Sequence, residues 1–278
     1  MSTQLLVPIN TFPNGNGPNL ALHVCAIARH LNADVHAVVV APLFPTVSSP
    51  LGNLLIDVPS LVGGARAKSR ERGTAVRNAM TESLGSVGIP FRATEMECTM
   101  GAVGESFIQA TRYHDLVVAG IVSGDATLQA AAELTIFGSG RPTLLVAEEE
   151  PAADLGHVMI AWDGSKVAAR AVSDARDFLE RATTVTIASV VDEKALPDDD
   201  PGAKLADYLA RRGIAASVAR LQAHGRLIAD VLQDCARDRG VGLLVMGAFG
   251  HSRLRDFVLG GATSGILKKP LLPVLLSH

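Results

Sequence analysis

Aromatic side chains and cysteines are scarce in this chain of 278 residues. Only 8 Phe, 2 Tyr and 1 Trp are present although hydrophobic residues make up 48% of the sequence, so Val, Leu, Ile and Ala must fill the core. The three cysteines, Cys25, Cys98 and Cys235, lie far apart. Their number and spacing exclude a disulfide framework and a Cys-x2-Cys metal site, and they favour a reducing compartment.

Long apolar runs and a strong net charge are also missing. No run reaches the roughly 18 residues that a membrane helix needs, and the longest stretch, 257–267, ends at Lys268 and Lys269. The first residues lack the basic start and apolar core of a signal peptide. The formal net charge of −3 argues against a general affinity for nucleic acid or anionic membranes. We therefore expect a cytoplasmic protein with neither kind of partner.

The chain alternates short Val-, Leu- and Ile-rich runs with longer Ala-rich amphipathic stretches, as βαβ units around a parallel sheet do. The runs are continuously apolar, which is typical of strands covered on both faces. The pattern predicts strands at 4–9, 35–41, 91–97, 115–120, 143–147, 157–162, 184–191, 214–221, 242–247 and 274–277. The expected fold is α/β, with two tandem doubly wound five-stranded parallel-sheet domains, 1–147 and 156–278, separated by an acidic linker.

The two predicted halves differ in length at two places. The first half has about 25 extra residues near 42–67, a stretch rich in Pro, Ser and Gly that predicts a loop, with a helix resuming near Arg66. The first half is also four residues shorter after its fourth strand, where Gly120 to Pro142 corresponds to Gly247 to Pro273.

The segment after the ninth predicted strand has the glycines of an anion site. Gly247 and Gly250 follow a buried strand, and Gly260 and Gly261 precede a predicted helix in which Thr263 offers a hydroxyl. Glycine lets backbone N–H groups approach an anion closely, and a helix N-terminus adds unsatisfied donors. The glycines alone are as compatible with a plain turn and a helix cap as with a ligand.

The spacing Gly247-x2-Gly250-x9-Gly260 resembles the nucleotide-binding signature of the universal stress protein family. In that family Ser or Thr follows the last glycine, whereas this chain has Gly261. One hydroxyl contact to phosphate is therefore missing, and Thr263 is the candidate substitute. Two further family features are the sequence Ala-Trp-Asp-Gly-Ser at 161–165 and the final strand after Pro273.

The resemblance covers both halves, about 130 residues each, so the chain resembles a tandem universal stress protein. This implies a Rossmann-like fold of the adenine nucleotide alpha hydrolase type, with the halves packed as a pseudo-dimer and their last strands antiparallel. It also implies one ATP, ADP or AMP, with Mg²⁺ as an accompanying ion, in the second half. The residues so implied are Asp163 at the ribose, Val190 or Val191 at the adenine, Met246 and Gly247 along the sugar and phosphate, and Gly250, Gly260, Gly261, Ala262 and Thr263 at the phosphates.

Each of these assignments has a plainer alternative. Asp163 and Ser165 form a good helix-capping signal, which is compatible with ligand contact. Arg253 and Arg255 either neutralise phosphate or form a solvated basic turn. His224 and His251 lack the i, i+4 partners of a metal site, so we expect no protein-built metal centre.

The first half lacks nearly all of this signature. Asn10 stands where the second half has Asp163, and the segment after Gly120 has no glycine pair but an acidic residue, Asp125, that would repel phosphate. The sequence Asn-Gly-Asn-Gly at 14–17 favours a plain turn over an anion-binding nest. We therefore expect a degenerate site in this half.

Three classes of function follow for the whole chain. The first is a stress-response protein whose bound nucleotide alters a surface for a protein partner that the sequence does not identify. Since no motif places a general base, we expect no catalytic residues and slow ATP hydrolysis at most. The second class is a nucleotide-free interaction module whose site is lost. The third is an enzyme of similar fold, which the absence of other phosphate-binding motifs disfavours. The sequence leaves open whether two whole chains associate as a homodimer.

Overall fold

A computed structural model describes residues 2–44, 57–193, 200–248 and 261–278. The elements of the first half are β1 (Thr3–Ile9), α1 (Leu20–Leu31), β2 (Ala33–Leu43), α2 (Val58–Gly85), β3 (Phe91–Thr99), α3 (Val103–Thr111), β4 (Leu116–Ile121), α4 (Ala126–Gly138) and β5 (Thr143–Ala147). Those of the second half are β6 (His157–Ala161), α5 (Lys166–Asp174), α6 (Arg176–Arg181), β7 (Thr184–Val190), α7 (Ala203–Ala210), β8 (Ala216–Leu221), α8 (Ile228–Asp238), β9 (Leu243–Gly247), α9 (Ala262–Lys268) and β10 (Val274–Ser277).

All ten of these strands belong to one sheet, in the order β3-β2-β1-β4-β5-β10-β9-β6-β7-β8. Each half has the doubly wound strand order with its switch point between its first and fourth strands, β1 and β4 or β6 and β9. Pairing is parallel within each half and antiparallel between β5 and β10. The predicted fold class is thereby confirmed.

The two halves join through the last strand of each. Leu275 pairs with Leu144 and Val274 with Leu145, and all four side chains are completely buried. Apolar residues of α4 and of the second half pack in one cluster across this junction. The antiparallel junction predicted from the resemblance is therefore present, and it leaves neither strand as an exposed edge.

The strand predictions match the structure within two residues at each end, but one helix begins earlier than expected. α2 begins at Val58, eight residues before Arg66, because Asp57 accepts a hydrogen bond from the backbone N–H of Ser60 and Pro59 occupies the first turn. A stretch judged a loop from its Pro and Gly content thus contains a helix start. The rest of the predicted insertion, 45–56, lies outside the described residues. Within the described ranges, no helix combines the length and apolarity needed to cross a membrane.

Candidate functional site

A cavity of about 260 Å³ opens at the carboxyl ends of β6 and β9, the switch point of the second half. In an open parallel sheet this is where the connecting loops diverge and a ligand fits between them. Seven of the ten predicted site residues line the cavity: Asp163, Val190, Met246, Gly247, Gly261, Ala262 and Thr263. Of the two valines, Val190 lines the cavity and Val191 does not. Gly250 and Gly260 lie outside the described residues, as do Arg253 and Arg255.

The inner wall of the cavity is apolar. Ala188 and Val190 come from β7, Met246 from β9, and Ile228 and Leu232 from α8. An apolar slot with a few polar groups at its rim suits a flat, largely apolar ring carrying polar substituents. The sequence did not predict the α8 residues, because this helix meets β9 only through the tertiary packing of the helix on the sheet.

Asp163 sits at the rim, held by the turn that starts α5. Its Oδ1 accepts a hydrogen bond from the backbone N–H of Ser165 at 3.0 Å, and Ser165 Oγ accepts one from the N–H of Ala168 at 3.2 Å. Gly164 between them has φ +73°, a conformation that L side chains rarely adopt. The capping interpretation is thus correct for Ser165, and the same turn fixes the Asp163 carboxylate at the cavity. Trp162 and Ser165 also line the cavity, and the Ala-Trp-Asp-Gly-Ser motif contained the signal for both.

Gly247 has a packing role that the sequence did not reveal. A Cβ on this residue would lie 2.6 Å from the backbone N of Ala168 and 2.6 Å from the backbone C of Val167. The first turn of α5 therefore lies directly on the end of β9. This close approach brings Asp163, which precedes α5, to the cavity that Gly247 also lines.

The start of α9 forms the opposite rim. Gly261, Ala262, Thr263 and Ser264 all line the cavity, and the Thr263 side chain is buried. Two hydroxyl residues thus follow Gly261, where the resemblance expects one hydroxyl at position 261 itself. Ser264 was not predicted, although it lies in the same helical turn as Thr263.

The end of β7 is fastened beside the cavity mouth. Asp192 accepts hydrogen bonds from the backbone N–H of Ala223 at 2.7 Å and of His224 at 2.9 Å. The Ala223 N–H, followed by that of His224, stabilises the ionised form and lowers the pKa of the Asp192 carboxyl. Glu193, the next residue, lines the cavity and was not predicted. It adds an acidic group to the rim.

The corresponding place in the first half is filled. Strand pairing aligns Leu5 with Leu116 as it aligns Val158 with Leu243, so Asn10 and Gly120 correspond to Asp163 and Gly247. The space between the elements there has a volume of about 10 Å³. The first half therefore has little open space at this place, and the loss of a site there stays a prediction.

Glu148 of the acidic linker lies beside that place, where its carboxyl group would collide with a Cβ on Gly120. It is 5% exposed, and it accepts hydrogen bonds from Asn16 Nδ2 at 2.6 Å and from the Gly17 backbone N–H at 2.7 Å. Asn16 in turn accepts one from the Asn10 N–H at 2.8 Å. The loop predicted to be a plain turn thus binds a carboxyl group of the protein itself. Asp125, considered a repulsive charge, accepts hydrogen bonds from two N–H groups at the start of α4.

Comparisons with known proteins agree with this division of the chain. The model of the Universal stress protein family matches residues 154–278, in the second half of the chain. Universal stress protein Slr1230 of Synechocystis sp. is 50% identical over 38 residues, which is 14% of this chain and 13% of that protein. The chain thus matches only a small part of its curated relative.

The fold of the whole chain also has solved counterparts. A universal stress protein from Archaeoglobus fulgidus is 16% identical, with a TM-score of 0.71 over 100% of this chain and 97% of that chain. A functionally unknown protein from Pseudomonas aeruginosa is 14% identical, with a TM-score of 0.55 over 98% of this chain and 92% of that one. At such identities the likeness shows the shared fold.

The packing of Gly247 predicts a stability effect. Gly247→Ala should lower the free energy of unfolding by about 1–3 kcal/mol, because the added Cβ meets backbone atoms that cannot rotate away. Gly63→Ala is the matched control: it lies in α2 with nothing within 4 Å of an added Cβ, and should stabilise by about 0.5–1 kcal/mol. Urea unfolding of both variants measures this. A Gly247→Ala variant as stable as the wild type would show that β9 and α5 separate easily.

The burial of Glu148 predicts a pH dependence. Desolvation raises the pKa of its carboxyl, and the hydrogen bonds from Asn16 and Gly17 only partly oppose this. Between the ordinary pKa of 4.5 and the raised value the folded state holds more protons than the unfolded state, so this group's contribution to stability falls as pH rises. The fall is about 1.4 kcal/mol for each tenfold difference in proton affinity between the folded and unfolded states.

Glu148→Gln removes that titration. The unfolding free energy of the wild type minus that of Glu148→Gln should therefore fall as pH rises through this window. Below and above the window the difference should be constant. Glu150→Gln, two residues along the linker, is the control: its exposed side chain is not among the groups that shift the pKa of Glu148, so it should leave the wild-type profile in place. A wild-type minus Glu148→Gln difference that does not vary with pH would contradict the buried, raised-pKa carboxyl.

Proposed function

We propose that the chain is a tandem universal stress protein that binds one adenine nucleotide, ATP, ADP or AMP, in its second half. The observation that carries the proposal is the cavity at the second switch point, where Asp163, Val190 and the start of α9 converge. The family match over residues 154–278 and the glycine signature in the same half support it. The filled place in the first half supports a single site per chain.

The adenine base would lie in the apolar part of the cavity, and the ribose would lie at its acidic rim. An adenine ring would lie in the slot next to Val190, with Met246 and Leu232 as further apolar contacts. The Asp163 carboxylate would accept hydrogen bonds from the ribose hydroxyls, as carboxylates at the ends of central strands do in related folds.

The phosphates would lie toward the start of α9. The hydroxyls of Thr263 and Ser264 there would compensate in part for the absent hydroxyl at Gly261. With that contact missing, ATP affinity should be on the micromolar side, about −8 kcal/mol or weaker. Among the described residues no cluster of His, Cys, Asp and Glu could hold a metal by itself, so a Mg²⁺ ion would be bound mainly through the phosphates.

A binding and signalling role suits this site better than rapid turnover. The described residues that line the cavity offer carboxylates and hydroxyls, but neither histidine nor lysine. Occupancy would instead alter the surface around α9 for a protein partner. The unpaired state of Cys25, Cys98 and Cys235 supports a cytoplasmic location.

Removing the Asp163 carboxylate tests the site. Asp163→Ala should weaken ATP binding by roughly 1–3 kcal/mol, the range for losing a charge-assisted hydrogen bond. Isothermal titration on protein stripped of endogenous ligand measures the affinity. Trp162 lines the same cavity and is the single tryptophan of the chain, so its fluorescence gives an independent readout.

Two further variants make the result specific. Asp177→Ala removes a carboxylate from α6, outside the cavity, and should bind ATP as the wild type does. Gly260→Asp should abolish binding through bulk and charge. Gly120→Asp, at first sight the matching control in the other half, is unsuitable because a side chain there would collide with Glu148. Two equivalent sites, or full affinity in Asp163→Ala and Gly260→Asp, would refute the assignment.

A further inference from the structure

A second cleft, of about 300 Å³, lies in the first half, between α2 and the carboxyl ends of β2 and β3. It shares no residue with the cavity that contains Asp163. Its walls carry charges of opposite sign. These charges, and the way the helix meets the sheet, indicate what the cleft binds.

One face of α2 forms the first wall. Arg66, Ser69, Arg70 and Gly73 are spaced i, i+3, i+4 and i+7, so they lie on the same side of the helix. At Gly73 the helix lies directly on the sheet, since an added Cβ would be 3.0 Å from Val39 Cγ1. The cleft therefore begins where the helix leaves that contact, toward its N-terminal turns, and both arginines belong to those turns.

The carboxyl end of β3 forms the second wall. Glu95 and Glu97 are two residues apart, so they lie on the same face of the strand. Strand pairing places them opposite Val39 and Ala41 of β2. Because Val39 faces α2 at Gly73, the two glutamates face α2 as well. Two carboxylates thus stand across the cleft from two guanidinium groups.

The floor between the walls contains two buried hydroxyls. Thr11 Oγ1 donates to the Val40 carbonyl oxygen at 2.7 Å and lies 2.7 Å from Ser69 Oγ. Because the Thr11 hydroxyl already donates its proton to the Val40 carbonyl oxygen, the Ser69 hydroxyl must be the donor in its hydrogen bond with Thr11. Lone pairs of Ser69 Oγ consequently remain as acceptors at the floor.

Among the described residues, the charged side chains of the two walls have few hydrogen-bond or ion-pair partners. In the part of the chain that the structure describes, Arg70 and Glu97 make no hydrogen bond or ion pair, and Glu95 has only a 3.6 Å contact with Arg77. Arg66 makes one long hydrogen bond, 3.4 Å, to the Phe44 carbonyl oxygen. Residues 45–56, which connect β2 to α2, contain no ionisable side chain. That connection therefore supplies no counter-ion for either wall.

We propose that this cleft binds a small zwitterion, a free amino acid or short peptide. Its carboxylate would pair with Arg66 and Arg70, and its ammonium group with Glu95 and Glu97. Guanidinium groups bind carboxylates by paired, charge-assisted hydrogen bonds, and carboxylates do the same for an ammonium group. The proposal is independent of the nucleotide site.

The test compares three small molecules on the full chain. L-alanine carries both charges, propionate lacks the ammonium group, and ethylamine lacks the carboxylate. Titration of each into the ¹⁵N-labelled protein, followed by amide chemical shifts, reports affinity and location together. We expect saturable shifts at residues 66–73 and 95–97 with L-alanine, and binding at least about tenfold weaker with either half-molecule, because each loses one charge-assisted pair.

Variants assign the effect to the two walls. Arg70→Gln and Glu97→Gln should each weaken L-alanine binding by about tenfold. Both side chains are exposed, so the fold should be intact, which an unchanged free energy of unfolding in urea would verify. Lys68→Gln removes a positive charge from the same helix outside the cleft and should leave L-alanine binding unchanged. Three results would overturn the proposal: no saturable binding of L-alanine, equal binding of propionate, or equal weakening by Lys68→Gln and Arg70→Gln.

Discussion

The antiparallel pairing of β5 with β10 is the contact on which the rest of the structure depends. Each strand is the last of its half, is buried along its whole length and would otherwise be an unpaired edge. Joining them makes one continuous sheet of ten strands. Because pairing is parallel within each half and antiparallel at the junction, the carboxyl ends of the two sets of strands lie on opposite edges of the sheet. The two switch points are therefore built separately, and each half could diverge without distorting the other.

The divergence is visible in how each half uses its own switch point. In the second half the first turn of α5 closes on Gly247 and leaves a cavity between Asp163 and the start of α9. In the first half a longer loop folds inward, and the carboxylate of Glu148 occupies its N–H donors. These donors are thus satisfied by a carboxyl group of the protein itself. The same scaffold thus has an open cavity in the second half and little open space at the corresponding place in the first.

Much of this could be predicted from the sequence because the signals are local. Continuous apolar runs identified the strands, and the repeated order of elements predicted two domains of one fold. The Asp-Gly-Ser turn was readable because capping depends on neighbouring residues. The contacts that sequence did not reveal are those between distant segments. Glu148 meets Asn16 across 132 residues, and α8 reaches the cavity only through packing.

The early start of α2 was missed for a different reason. Pro and Gly content favoured a loop there, but Pro59 stands in the first helical turn, where proline is compatible with a helix, and Asp57 supplies the cap. The cleft with Arg70 and Glu97 also required the structure, because its walls come from a helix and a strand whose alignment no local pattern specifies. Local patterns therefore predict the scaffold, whereas the sites depend on which loops meet at its edges.

Native mass spectrometry of the whole chain after gentle purification tests the central claim, that the open half holds one adenine nucleotide and the closed half none. We expect a mass increase of a single AMP, ADP or ATP per chain, lost on stripping and restored by added ATP. A protein that stays at its apo mass with excess ATP, or that takes up two nucleotides per chain, would contradict it.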